Sequence, residues 1–313
     1  MVTSLVCHAD RSSLERCLGA KVATAEFLKL YRAREAGGQI LIPKHIDAMF
    51  SEPMDDAEQD IHWLILKWDA RQVMRLESEY FSQRSEFTSI SRKLAYRADA
   101  AALLRRSELV TSMASIARQL ATLRRSTLIP EDRRIYPGMH APVLVFRDGA
   151  LVIEPRRYGR NGPDMRGTSA RSFSVAREDA SSELRAFGSQ VPGHSHGVVM
   201  LSGFYLGEQT TTHTACETVS RIKRPALVKK TSSAAFLVPC LCMEGSGDLQ
   251  AAPTFTPISA HAEGDLQRAG YLRCLIDISP ESAACWINPA TDELHQLEQI
   301  LAQATTSSYA IAA

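Results

Sequence analysis

The 313 residues predict an α+β fold in which a helix-rich segment precedes a β-rich one. Two observations carry this. From Pro53 to Pro130 the chain contains no further Gly or Pro and repeats its apolar residues at helical spacing. From Pro130 onward, short β-branched runs alternate with Gly-rich turns. Apolar residues at 45% and charged residues at 23% are the balance of a globular chain with ample core. A formal net charge of +1 gives no global pull toward nucleic acid or membrane.

In the helical segment, "DDAEQDIHWLILKWDARQVMRLESEYFSQRSEF" starts with acidic residues, which suit a helix amino end. It then places Ile61, Leu64, Ile65, Trp68, Val73 and Leu76 at helical spacing. "SRKLAYRADAAALLRRSELVTSMASIARQLATLRR" is rich in Ala, Leu and Arg and again lacks breakers. Two or three long helices packed as a hairpin are expected. In the second part the expected strands include "PVLVF", followed by the turn "RDGA", then "LVIE", "GVVMLSGFYL" and "AAFLVPCLCM". "SPESAACWINP" opens a short helix with Pro280 in its first turn. "ATDELHQLEQILAQA" is a closing amphipathic helix, and "TTSSYAIAA" a loose tail.

Asp10, Arg11, Glu15 and Arg16 near the start leave no room for a secretory apolar region, and the longest apolar runs are about half of a membrane span. Seven Cys, an odd number, point to reduced thiols and a cytoplasmic protein.

Four stretches, "IYPGMHAPVLV", "PRRYGRNGP" with "TSARSFS", "HSHGVVMLSGFYLG" and "GYLRCLIDISPESAACWINP", together with the opening "MVTSLVCHAD", resemble the SRAP family. These are the SOS-response-associated peptidase-like proteins, which cross-link to abasic sites in single-stranded DNA. The resemblance implies a curved β-sheet core with flanking helices. Residues 1–11 would be its first strand, 12–130 a helical insertion, 131–302 the β-rich core with its closing helix, and 303–313 a flexible tail. It also implies a role in the DNA damage response.

The family's reaction uses a cysteine exposed as the new amino terminus once the initiator Met is lost. Amine and thiol together trap the sugar aldehyde, because sulfur closure converts a reversible Schiff base into a stable ring. An asparagine, a glutamate and a histidine assist. At the matching positions this sequence has Val2, Ser169, Leu206 and Tyr271. The resemblance therefore implies a degenerate member without the cross-linking chemistry, in which a Val2 amine could at most form a slow Schiff base. Arg171 and Arg273 match family positions that contact DNA phosphate, and Arg157 matches a further family arginine. Against this stands the plainer reading that each Arg pairs with a carboxylate.

Single-stranded or abasic DNA is thus the expected partner, with no cofactor, no metal and no membrane. The alternative is a scaffold-only interaction protein that pairs with an active relative, and the third is residual amine-based lyase activity. His194 with His196, and Cys240 with Cys242, have strand spacing for paired ligands but no second pair. Cys7 reads as a small core residue. Between Ser89 and Arg125, eight Lys and Arg stand against Asp99 and Glu108. Their bland reading is a solvated face that meets Glu77, Glu79 and Glu86 on the preceding helix. "IKRPALVKK" is a second basic cluster.

Overall fold

Alternation of apolar side chains along the strands produces two opposed layers of core, and the sheet between them organises the molecule. The computed structural model describes residues 2–8, 12, 15–16, 19–97, 99–159, 174–179, 196–207, 209–214, 217–222, 225–232, 235–245, 252–288, 294–304 and 309–312. Its strands are β1 (Val2–Cys7), β2 (Lys21–Val22), β3 (Arg134–Ile135), β4 (His140–Arg147), β5 (Ala150–Tyr158), β6 (Val175–Ala176), β7 (His196–Leu206), β8 (Gln209–Thr214), β9 (Glu217–Ile222), β10 (Ala226–Lys230), β11 (Phe236–Met243), β12 (Thr254–His261), β13 (Arg273–Leu275) and β14 (Tyr309–Ile311). Its helices are α1 (Thr24–Glu35), α2 (Lys44–Asp47), α3 (Asp56–Tyr96), α4 (Ala100–Arg124), α5 (Gly264–Arg268), α6 (Pro280–Ile287) and α7 (Leu294–Gln303).

The protein is α+β, with a large mixed sheet flanked by helices. Five strands close on themselves: β7 pairs β11, β11 pairs β12, β12 pairs β5, β5 pairs β4, and β4 returns to β7 where Leu144 meets Val198. An odd ring cannot alternate direction throughout, and β12–β5 is its one parallel pair. Val143, Val199, Val238, Cys240 and Phe255 belong to one apolar layer. Their strand neighbours Leu144, Val198, Leu237 and Ile258 belong to the other, beneath α6 and α7. The α6/α7 side is thus the outer face, and the first layer fills the ring.

Local signals place the turns and caps. Asp148 and Gly149 both have positive φ, 52° and 82°, as a two-residue hairpin turn between β4 and β5 requires. Asp55 caps α3 by accepting from the Glu58 amide at 2.8 Å. Ser279 caps α6 by accepting from the Ser282 amide at 3.1 Å, with Pro280 in the first turn. Helices α3 and α4 form the expected antiparallel pair. The 41 residues of α3 give it a length of about 60 Å.

Two features depart from expectation. The stretch 12–130 is not helical throughout: β2 pairs β5, Leu41 bridges Met139, and Ala20 joins the outer core layer. The last residues are not wholly a loose tail, because β14 pairs β10 and Tyr309, 2% exposed, packs against Phe204 and Phe236. A single aromatic on a three-residue strand leaves no periodicity to read, so only tertiary packing shows it. Deleting residues 305–313 should therefore cost about 2–3 kcal/mol, the value of burying one aromatic side chain. A urea melt checks this, and an unchanged midpoint would refute the docking of the tail.

Candidate functional site around Val2

The first strand is central because β7, the longest strand, changes neighbours along its length. Its first half lies in the ring, while its end, Phe204–Leu206, is held between β1 and β10. This register sets Val2 directly opposite Leu206. Val2 is 2% exposed and Leu206 fully buried, both in the apolar layer that continues into the ring. Tyr271 precedes β13, is partly buried and packs against that same layer. Val2 and Leu206 thus face each other across the strands, and Tyr271 packs against the same extended apolar layer, although the three positions span residues 2 to 271. Ser169 lies outside the described residues, as does Arg171.

The chemistry open to this cluster is limited. The side chains of Val2 and Leu206 carry no proton to move. Cys7, on the same strand, is buried, and its thiol is pushed up to about 12 by burial, so it presents no thiolate near neutral pH. Cys240 and Cys242 are also buried, with their sulfurs 4.0 Å apart. Burial holds the Cys240 thiol well above its ordinary range. His196 stands edge-on to Trp286 at 5.4 Å, and His194 lies outside the described residues. Among the described residues no group of three or more His, Cys, Asp or Glu is placed to hold a metal.

Arg273 and Arg157 bracket β12. Arg273 sits opposite His261 at one end and Arg157 opposite Thr254 at the other, about 23 Å apart along the strand. They do not converge on one phosphate. The Arg273 guanidinium donates to Glu178 Oε2 at 3.0 Å and to the Ser259 carbonyl at 2.9 Å, which is the carboxylate pairing of the plainer reading. The pair is solvated, with Arg273 and Glu178 side chains 32% and 50% exposed.

The Arg before Arg157 behaves differently. Arg156 is buried, donates through Nε to Glu154 at 2.8 Å, and also pairs with Glu244. It is structural, and nothing in "RRYG" tells the two arginines apart except the alternation of the strand. The basic second helix spends part of its charge within the hairpin: Arg105 pairs with Glu86 at 2.8 Å, and Arg124 with Glu77.

No protein-family model and no curated protein matches the chain. Among solved structures, the chain is similar to a phage-related protein from Bordetella bronchiseptica at 18% identity, with a TM-score of 0.43, covering 57% of this chain and 79% of that one. A protein from Bacteroides thetaiotaomicron is similar at 14% identity and a TM-score of 0.38, covering 58% and 76% respectively. No described helix is long and apolar enough to cross a membrane.

Proposed function

We propose that this chain is a SRAP-like protein that binds single-stranded or abasic DNA in the DNA damage response without forming a covalent adduct. The observation that carries the second half of this reading is the pairing of Val2 with Leu206 inside apolar core. A 1,2-aminothiol trap needs a thiol beside the terminal amine, an open approach and proton-transfer groups, whereas Val2 and Leu206 have neither thiol nor ionisable side chain and both are buried. DNA binding is supported by the resemblance and by the setting of Arg273. A solvated ion pair is worth about 0–1 kcal/mol, so a phosphate can replace Glu178 at little cost. The exchange would leave the bond to Ser259 intact.

Two outcomes test this. Val2→Cys should yield no more than weak heat-resistant adduct with abasic DNA on a denaturing gel, since Leu206 and Tyr271 leave the aldehyde chemistry unassisted. Efficient cross-linking by the unmodified chain would end the degenerate reading. Separately, Arg171→Ala with Arg273→Ala should weaken binding of a labelled single strand about thirtyfold, as loss of charge-assisted hydrogen bonds implies. Wild-type affinity should fall with salt at a slope of about −0.7 per phosphate contacted.

A second reading, an interaction protein that kept only the scaffold, is favoured by one feature. Trp63, Leu66, Met74 and Phe81 stand exposed along α3. It expects no oligonucleotide binding at low salt, together with co-elution of the chain with an active SRAP-type relative.

A further inference from the structure

On the opposite face of β1 and β7 from Val2 and Leu206 lies a groove of about 780 Å³. Four neighbouring strands, β3, β1, β7 and β10, run side by side across its floor. Arg133 and Arg134 enter from the β3 side and Lys229 from the β10 side, strands about three spacings or ~14 Å apart, with the Arg134 side chain reaching across β1 toward β7. Between β3 and β10 Val6 pairs with Gly203, so the middle of the floor is bare of a side chain at Gly203. It must stay that way, because a Cβ on Gly203 would lie 2.7 Å from the Val228 carbonyl oxygen and 3.1 Å from Leu227 Cδ1.

The cations of this groove are available. Arg133, Arg134 and Lys229 form no ion pair among the described residues. Arg134 is held in place by neutral groups: Nε donates to Ser4 Oγ at 2.7 Å, and the guanidinium lies over Tyr205 at 3.8 Å and over Tyr136 at 4.9 Å. A guanidinium fixed through Nε and through its face keeps both terminal nitrogens for a ligand, in the fork that suits phosphate. By contrast Lys230, also in the groove, is committed to Asp277 at 2.6 Å. Glu131 is the single carboxylate among the described lining residues. Tyr136 does not line the groove itself, but it is 44% exposed beside Arg134 and offers a ring on which a base can stack.

We infer that this groove is a phosphate-binding channel for single-stranded nucleic acid, in which Arg133, Arg134 and Lys229 grip the backbone from two sides and Tyr136 takes a base. From the preceding reading it takes only the class of ligand. The place is separate from the Val2 corner and from Arg273. Cations entering from two sides of an open channel fit a strand that passes through, and the exposed Tyr136 ring beside Arg134 gives an unpaired base a surface that a duplex would not use.

The test uses the full chain and a fluorescein-labelled oligothymidylate, with anisotropy read at low and moderate salt. Arg133→Glu combined with Lys229→Glu changes two side chains that make no described bond. Because the Arg133 charge also acts on buried His45, a urea melt checks the fold of this variant, and Lys229→Glu alone serves as the second variant. The expected effect of the pair is at least about a tenfold loss of affinity and a shallower salt slope. Arg92→Glu with Lys93→Glu, on the helical hairpin, makes the same change in net charge and should have little effect. Equal losses from both pairs would reduce the groove to non-specific charge, and no loss from the groove pair would overturn it. If the groove pair is silent while Arg171→Ala with Arg273→Ala weakens binding, the groove alone is wrong. The reverse pattern removes the earlier site and keeps the groove. Absence of any binding by the wild type at low salt sinks both. Inorganic tripolyphosphate is the competitor, and tight binding of it by a protein that ignores the oligonucleotide would overturn the assignment to a nucleic-acid strand.

Discussion

Lowering the pH from 6.5 to 4 should destabilise the folded chain by about 5 kcal/mol through two histidines alone. His45 on α2 and His140 on β4 have the same setting. Each ring approaches a backbone carbonyl through Nδ1, His45 that of Asp132 at 2.9 Å and His140 that of Leu41 at 3.3 Å. In each, Nε2 is buried without a partner. The carbonyl accepts from Nδ1–H, so a second proton would have to sit on the buried, unsatisfied Nε2. Burial is the main cause that pushes both imidazoles down to about 4, helped by the nearby charge of Arg133 for His45 and of Arg157 for His140.

The sign follows from the two states. The unfolded chain takes up these protons near pH 6.5 and the folded one only near 4. The stability that depends on them is therefore complete above 6.5 and is lost as the pH falls toward 4. A gap of about 2.5 between the two states corresponds to roughly 3 kcal/mol per ring over the whole titration. Both rings join the helical segment to the sheet, so that joint should loosen first. Urea melts at several pH values measure the slope, and His45→Gln with His140→Gln should flatten it. If the slope is the same in the double variant, the assignment to these two rings is wrong.

Trp286→Ala should cost about 3–5 kcal/mol, the range for deleting a large buried aromatic. Trp286 is the largest fully buried side chain, and it ties the closing helices to the sheet. It extends from α6 onto the outer face of the ring, where its indole N–H donates to the Gly197 carbonyl at 2.9 Å. Its ring meets the edge of His196. Alanine leaves a cavity under the closing helices and removes the indole donor from the Gly197 carbonyl on β7. Gly197 cannot compensate, because a Cβ there would lie 2.8 Å from the Leu144 carbonyl oxygen and 2.9 Å from Cys242 Sγ. Trp286→Phe separates the two losses: it should recover most of the packing but not the hydrogen bond. A midpoint for the Ala variant within error of the wild type would contradict this packing.

The sequence by itself determined whatever depends on neighbours a few residues apart. The helical spacing of Ile61, Ile65 and Leu76 specifies α3; Asp148–Gly149 specifies a hairpin, and Ser279–Pro280 a helix start. Only the tertiary structure decided which groups face one another across long stretches of chain. It set Val2 against Leu206, gave Arg273 the carboxylate of Glu178, buried Arg156 while leaving Arg157 at the junction of β4, β5 and β12, and fixed Arg134 between Ser4 and Tyr205. The reason is physical. Helix and turn preferences are set by backbone sterics and hydrogen bonds within one or two turns of chain, whereas a side chain's partner depends on strand register, and a slip of one residue sends every side chain to the other face.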